Sequence, residues 1–224
     1  MPRGRATSNP LALAVLACLF ERPMHPYEMA STMRERGKEQ SIKLNYGSLY
    51  TVVDNLAKHG LIVALEARRE GRRPERTVYE LTDAGRTRLD TWMSELLATP
   101  VKEYPRFEAA LSLMPVLHPD HVLALLRERG RTLEKQITAE RLILDAAGKA
   151  GLPRLLMIEG EYHLAMQDAE LAWVRSLADE LEAGTMEGQN AWQQFFETGQ
   201  QPEWTLDLSG LEVLKSPEGG DEPG

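Results

Sequence analysis

The sequence predicts a mostly helical protein with a single small β-hairpin, in which an N-terminal unit precedes a C-terminal unit of antiparallel helices. Three observations favour this fold class. Apolar residues recur at helical spacings of three, four and seven through most of the chain. β-Branched residues alternate in one place only, around residues 61–82. The proline-punctuated stretch TPVKEYPRFE then separates the two units.

The charge of the chain is unevenly distributed. Its 224 residues carry a net charge of −8, and 42% of them are hydrophobic, which is enough for one large domain or two small ones. The first 100 residues hold 15 lysines and arginines against 12 acidic residues, whereas the remainder holds 11 against 22. This split indicates that an anionic partner would meet the N-terminal unit.

Neither a membrane span nor an oxidising compartment is expected. No apolar run approaches the roughly 18–20 residues that cross a bilayer. The run LALAVLACLF could mimic a signal peptide, but ERPMHPYE follows it without a small-residue cleavage site, so we interpret it as a buried helix. The single cysteine, Cys18, lies in this run, which predicts an inert core thiol in a cytoplasmic protein.

Two helices are predicted within the first 37 residues. The first covers residues 10–20, with proline at its first position and Ser8 or Asn9 as its cap. The second covers 26–37, because the prolines of ERPMHP fit no helix interior. Its buried side chains are expected to be Tyr27, Met29, Ala30 and Met33.

The third helix lies within LNYGSLYTVVDNLAKHGLI, residues 44–62, and has two different faces. Its apolar positions repeat at three, four and seven, and Gly60 is a natural C-terminal stop. The apolar face consists of Leu49, Val52, Val53 and Leu56. Hydrogen-bonding side chains crowd its first two turns, which a helix buried only for packing does not need.

A β-hairpin and a fourth helix follow. LIVALEARR and RTVYELT alternate as strands, and EGRRPE joins them as a basic tip. TDAGRTRLDTWMSELL is a helix capped by Thr82 or Asp83, with Leu89, Trp92, Met93, Leu96 and Leu97 on one face. Three helices followed by a two-stranded hairpin is the order of a winged helix-turn-helix domain, whose third helix here would enter the major groove of DNA.

The start of the third helix supplies the first candidate DNA contacts. Its free N–H groups and positive dipole end suit a phosphate, and short hydroxyl and amide side chains suit phosphate oxygens or base edges. The candidates are Lys43, Asn45, Tyr46, Ser48, Tyr50 and Thr51. The alternative is that the two tyrosines are half-buried aromatics and that Asn45 only caps the helix.

The hairpin tip supplies the second group of candidates. RREGRRPER contains five arginines beginning with Arg68, and the four proposed as phosphate contacts are Arg69, Arg72, Arg73 and Arg76. A solvated loop is the simpler interpretation of such a cluster. Its position in the wing favours phosphate contact, and each such contact steepens the salt dependence of log K by roughly 0.9.

The chain beyond the linker is predicted to be nearly all helical. We divide it into 1–98 as the winged domain, 99–184 as a helical dimerisation and effector domain, 185–215 as an aromatic extension and 216–224 as a disordered tail. The first long helix has a heptad-like seam in which Gly130 and Glu140 occupy positions that should be apolar. The candidate dimerisation residues are Leu123, Leu126, Leu133, Ile137, Leu144, Ile158 and Trp173.

The segments GSLYTVVDNLAKHGLI, EGRRPERTVYELTDAGR and LDTW resemble the PadR family of bacterial transcriptional regulators, and the resemblance extends over roughly residues 10–185. It implies a homodimer whose C-terminal helices embrace the partner and whose recognition helices meet an inverted-repeat operator on double-stranded DNA. It further implies a repressor that leaves DNA when a small-molecule effector or another signal reaches the C-terminal domain. In some compact members a tryptophan after the wing stacks aromatic ligands, but Trp92 comes about one turn too early, so we assign it to a core or interface.

Two other functions are considered. His118 with His121, and Glu159 with Glu161 and His163, could belong to a metal site, but spacing specifies no third ligand. No phosphate loop, nucleophile elbow or paired-carboxylate signature appears, so neither an enzyme nor a cofactor is expected. A winged-helix adaptor that binds protein is the second alternative, and the arginine-rich hairpin argues against it.

Overall fold

The computed structural model describes residues 9–65 and 77–199. The chain forms two compact units, Met1–Glu103 and Tyr104–Gly224. Both the mostly helical class and the single hairpin are confirmed. The described residues contain no helix long and apolar enough to cross a membrane.

Three helices form most of the first unit: α1 (Pro10–Glu21), α2 (Pro26–Glu35) and α3 (Tyr46–Lys58). The Oδ1 atom of Asn9 caps α1 by accepting the N–H of Leu11 at 3.0 Å. The side chain of His25 caps α2. The capping side chains at both starts satisfy N–H groups that have no partner inside the helix.

The core of the first unit contains the apolar stripes of the three helices. From α1 and α2 it takes Leu11, Val15, Leu16, Leu19, Met29, Ala30 and Met33. The prediction that Tyr27 is buried is wrong, because its side chain is 56% exposed and Pro26 takes the buried position at the start of α2. Burial raises the pKa of the Cys18 thiol, which disfavours a reactive thiolate and agrees with a core role.

The hairpin consists of β1 (Ile62–Leu65) and β2 (Val78–Leu81), paired antiparallel with Ile62 opposite Leu81. Met24, from the segment between α1 and α2, pairs with Tyr79 of β2 through two backbone hydrogen bonds of 3.1 and 3.0 Å. The base of the hairpin is therefore attached to the helical core as well as to its own partner strand.

The helix α4 (Asp83–Ala98) closes the first unit. Thr82 caps it, since its Oγ1 accepts the N–H of Gly85 at 3.0 Å. Trp92 is buried in the core, as the sequence analysis expected of a core residue. Of the five residues predicted on one face, Trp92 is buried in this core and Leu89 packs against it. Met93, Leu96 and Leu97 are exposed.

The second unit contains α5 (Arg106–Ser112), α6 (Pro119–Lys149), α7 (Ile158–Ala183) and α8 (Gln189–Thr198). Ion pairs connect the two long helices: Arg127 lies 2.8 Å from Asp179, and Arg141 lies 2.6 Å from Asp168. Later residues of α6 pair with earlier residues of α7, so the two helices are antiparallel.

The two residues that break the apolar pattern of the α6 seam, Gly130 and Glu140, both lie against α7. Gly130 is buried against α7, where its missing Cβ would lie 3.8 Å from Cδ1 of Leu171. Glu140 pairs with His163 of α7, with 2.9 Å between Oε2 and Nδ1. Glu140 therefore has a partner on α7, and Gly130 packs against α7 at an ordinary contact distance, so neither residue interrupts the contact between the two helices.

Helix α8 packs on the second unit through Trp192. This side chain is 3% exposed, and its Nε1–H donates to the backbone oxygen of Leu117 at 2.9 Å. Gln189 donates to the backbone oxygen of Leu181 at 2.8 Å. The aromatic extension predicted from residue 185 therefore begins with a packed helix, whereas residues 200–224 lie outside the described part of the chain.

The candidate dimerisation residues fall into two groups. Leu126, Leu133 and Ile137 are buried in clusters that α6 and α7 of the same chain share, and Leu123 and Leu144 are half-buried. Ile158 and Trp173 are 48% and 49% exposed. Because the first group already has partners inside the chain, any role in dimerisation falls mainly to the second.

Candidate nucleic-acid interface

Helix α3 is fixed to the first unit by one apolar face. The side chains of Leu49, Val53 and Leu56 are at most 1% exposed, and Val52 is 6% exposed. All four belong to the core that α1 and α2 share. This confirms the predicted face and fixes which side of α3 points away from the protein.

The opposite side presents polar groups, which we call the polar edge of α3: Asn45, Ser48, Tyr50 and Thr51. Asn45 caps the helix, because its Oδ1 accepts the N–H of Gly47 at 2.9 Å. The hydroxyl of Thr51 donates to the backbone oxygen of Gly47 at 3.0 Å, which leaves its lone pairs outward. Ser48 is exposed, and Tyr50 is 46% exposed.

An open groove runs along this edge. Besides the predicted residues, Asn9 from the start of α1, and Gly47, Val52 and Asn55 of α3, line it. The sequence analysis did not select Asn9 or Asn55 as contacts. The signal for Asn55 was its spacing of four residues from Thr51, which places both on one helix face. The groove offers amide and hydroxyl groups, which suit base edges and phosphate oxygens.

The hairpin is attached at the end of α3. Gly60 has φ +69°, a left-handed conformation that favours glycine and turns the chain from the helix into β1. The hydroxyl of Thr82 lies 2.8 Å from the backbone oxygen of Gly60 and 2.9 Å from that of Leu61, and can donate to either. Burial raises the pKa of the nearby Tyr79 hydroxyl, and the carboxylate of Asp54 raises it further. Both hairpin strands are thus held beside the C-terminal end of α3.

The structure describes only some of the remaining candidate contacts. Lys43 is exposed just before α3. Tyr46 begins the helix, and its side chain lies outside the described part of the structure. The wing arginines Arg69, Arg72, Arg73 and Arg76 lie in residues 66–76, which are also outside it. Their contacts with DNA stay predictions.

Two of the three histidines considered as metal ligands, His118 and His163, have other partners. Nδ1 of His118 accepts the N–H of Asp120 at 3.2 Å and so caps α6. Nδ1 of His163 lies 3.0 Å from Oε1 of Glu140 on α6. Within the described residues, no group of three His, Cys, Asp or Glu side chains could hold a metal ion.

Residues 15–91 match the model of the family described as "Transcriptional regulator PadR-like family". The matched segment contains α2, α3, the hairpin and most of α1 and α4. No curated protein shows a significant sequence match to the chain.

Three solved structures share the fold at low sequence identity. Bacillus subtilis PadR in complex with operator DNA has 16% identity and a TM-score of 0.60, over 77% of this chain and 97% of that one. The same protein in complex with p-coumaric acid has 15% identity and a TM-score of 0.61, over 80% and 98%. The Vibrio cholerae virulence activator AphA has 21% identity and a TM-score of 0.57, over 77% and 98%. With the family match over residues 15–91, these likenesses agree with the architecture described above: this segment is similar to the PadR-like family of transcriptional regulators, and the chain shares the fold of these structures.

Proposed function

We propose that this protein is a cytoplasmic transcriptional repressor that binds an inverted-repeat operator on double-stranded DNA as a homodimer and releases it on a signal. The observation that carries the proposal is the division of α3 into two faces. Its apolar face is buried, and its polar edge is exposed. A helix held by one face with hydrogen-bonding groups on the other is suited to the major groove.

The charge distribution also supports binding of DNA through the N-terminal unit. The hairpin tip carries five arginines within nine residues, and the N-terminal 100 residues are net basic in an acidic chain. Arginines in the wing would contact phosphates, while Ser48, Tyr50 and Thr51 would meet base edges. We propose Lys43, Asn45 and Tyr46 as further contacts at the start of α3.

The proposal of a homodimer rests on the outer face of α7. Tyr162, Met166 and Trp173 are between 48% and 68% exposed, and Ala165, Ala169 and Ala172 lie exposed among them. Apolar and small side chains on an exposed helix face suit a second helix at close range. Two copies would present two α3 helices, which fits operator half-sites one helical turn, about 34 Å, or a multiple of it apart.

Release by a small molecule is supported by the likeness to Bacillus subtilis PadR, which has been solved with operator DNA and with p-coumaric acid.

The direct test is a binding titration of the full-length protein on duplex DNA from the region upstream of its own gene, repeated at several salt concentrations. We expect binding that exceeds binding to a shuffled duplex and that weakens steeply as salt increases. An absence of binding at low salt would contradict the proposal and favour the protein-binding adaptor. A promoter fusion then separates repression from activation.

A further inference from the structure

The short turn before α6 exposes two apolar side chains on one side. The turn is a 3₁₀ helix, Met114–Val116, in which the N–H of Val116 donates to the backbone oxygen of Leu113 at 3.2 Å. Side chains three residues apart in a 3₁₀ helix lie one above the other, so Leu113 and Val116 share a side of the turn. They are 64% and 72% exposed.

Helix α8 lies against the end of this turn. Its Trp192 donates to the backbone oxygen of Leu117, and the ring of Phe196 packs edge-on against that of His118, with 5.3 Å between the ring centroids. Phe196 is itself exposed, beside a histidine that follows Val116 by two residues. We call Leu113, Val116 and Phe196 the α8 apolar surface.

The chain continues beyond α8 with a segment of matching chemistry. Apolar and polar residues alternate in WTLDLS, residues 204–209, and LEVL follows at 211–214. Such alternation places the apolar side chains of an extended segment on one side and the polar ones on the other. The last nine residues, SPEGGDEPG, contain no aromatic or large aliphatic residue. The apolar side chains that follow α8 are therefore concentrated in residues 204–214, which we call the C-terminal segment.

The C-terminal segment begins within reach of the α8 apolar surface. Helix α8 ends at Thr198, two residues after Phe196. The five residues that lead from Gly199 to Trp204 span at most about 18 Å. A segment tethered this closely has an effective concentration on the order of millimolar, which a separate partner protein would have to exceed. The chain's own C-terminal segment is therefore the favoured occupant of this surface.

We propose that the C-terminal segment packs on the α8 apolar surface of its own chain through Trp204, Leu206 and Leu208. This assigns a role to the aromatic extension: it covers apolar side chains that α8 leaves exposed, so that the second unit does not present them to other proteins. The proposal does not depend on DNA binding, and its test is independent of the test of the proposed function.

Amide hydrogen exchange of the full-length protein, followed by mass spectrometry, measures this packing directly. We expect residues 204–214 to exchange at least about tenfold more slowly than an unstructured chain of the same sequence, because opening the segment exposes buried leucines. Leu206→Asp/Leu208→Asp should remove this protection, since it places charges against apolar side chains. Thr205→Asp/Ser209→Asp adds the same charge on the other side of the segment and should keep the protection.

A change on the surface itself distinguishes docking there from docking elsewhere. Val116→Asp should remove the protection of residues 204–214 without changing the helical content, because Val116 is exposed. The matched control is Leu142→Asp at a comparably exposed leucine of α6, and this variant should keep the protection.

Three results would overturn the proposal. In the first, residues 204–214 of the wild type exchange at the rate of an unstructured chain. In the second, Val116→Asp leaves their protection unchanged, which means that the segment packs elsewhere. In the third, the protection falls on dilution, which means that a second copy and not the same chain provides the surface.

Discussion

Single residues decide the details that sequence periodicity leaves open. Asn45 was a candidate base contact and also a candidate cap, and the structure assigns its Oδ1 to the cap. The NH₂ group takes no part in that cap, so one side chain can serve as cap and as contact. For Tyr27, helical spacing predicts burial, but the side chain is exposed. Spacing shows which side chains share a helix face, and it does not show where the core ends along that face.

Gly85 provides a prediction at the scale of one atom. A methyl group there would overlap the backbone oxygen of Leu61 and approach Cδ1 of Leu81 to 2.7 Å, at the junction of α4 with the hairpin. We expect Gly85→Ala to lower the free energy of unfolding by about 2–3 kcal/mol, as overpacking in a dense core does. Urea denaturation measures it. Gly130→Ala, with its nearest atom 3.8 Å away, is the control and should be close to neutral.

Elements are the scale at which the sequence is most informative. The order of helices and strands in the first unit follows from periodicity, prolines and caps, which are local signals. The packing of α6 on α7 was harder to predict from the sequence, because the contacts of Gly130 and Glu140 are with residues about 20–40 positions away. The hairpin tip was predictable only as a charge cluster, and its contacts depend on a partner that the sequence does not contain.

The connection between α1 and α2 gives a pH-dependent prediction. Nη2 of Arg36 donates to Oε2 of Glu21 at 2.8 Å, and a second hydrogen bond joins the same groups. The hydrogen bonds from Arg36 hold the pKa of Glu21 below its ordinary value of 4.5. The carboxylate therefore stabilises the fold above the unfolded pKa, and this contribution is lost as pH falls through the lower folded value.

Because both side chains are about half exposed, the effect is small. Glu21→Gln should cost less than about 1 kcal/mol at pH 7, and the cost should fall as the pH is lowered below the ordinary carboxyl pKa, so that it is smaller near pH 3. Urea denaturation at the two pH values tests this, with Glu80→Gln on the exposed side of β2 as the control. An equal cost at both pH values would mean that packing, not charge, connects the two helix ends.

At the scale of the whole molecule, the proposed homodimer makes a mass prediction. Light scattering of the wild type should give twice the chain mass of 25.2 kDa. Ile158→Glu and Trp173→Glu should shift the mass toward the single chain at micromolar concentration while keeping the helical content, since each places a charge on an exposed apolar position. Gln136→Glu adds the same charge on α6 and should leave the mass unchanged. A wild type of single-chain mass contradicts the dimer.

The central claim is that the wing positions the protein on phosphates while the polar edge of α3 selects the sequence. The measurement is the salt dependence of affinity for the operator and for a shuffled duplex, compared among the wild type, Arg72→Ala/Arg73→Ala and Ser48→Ala. The double variant Arg72→Ala/Arg73→Ala should weaken binding to both duplexes alike. It should also reduce the slope of log K against log salt by about 2, because each phosphate contact contributes roughly 0.9. Ser48→Ala should reduce the difference in affinity between the operator and the shuffled duplex. It should leave the slope of log K against log salt unchanged. An unchanged slope in the arginine variant, with full operator preference in Ser48→Ala, would contradict the claim.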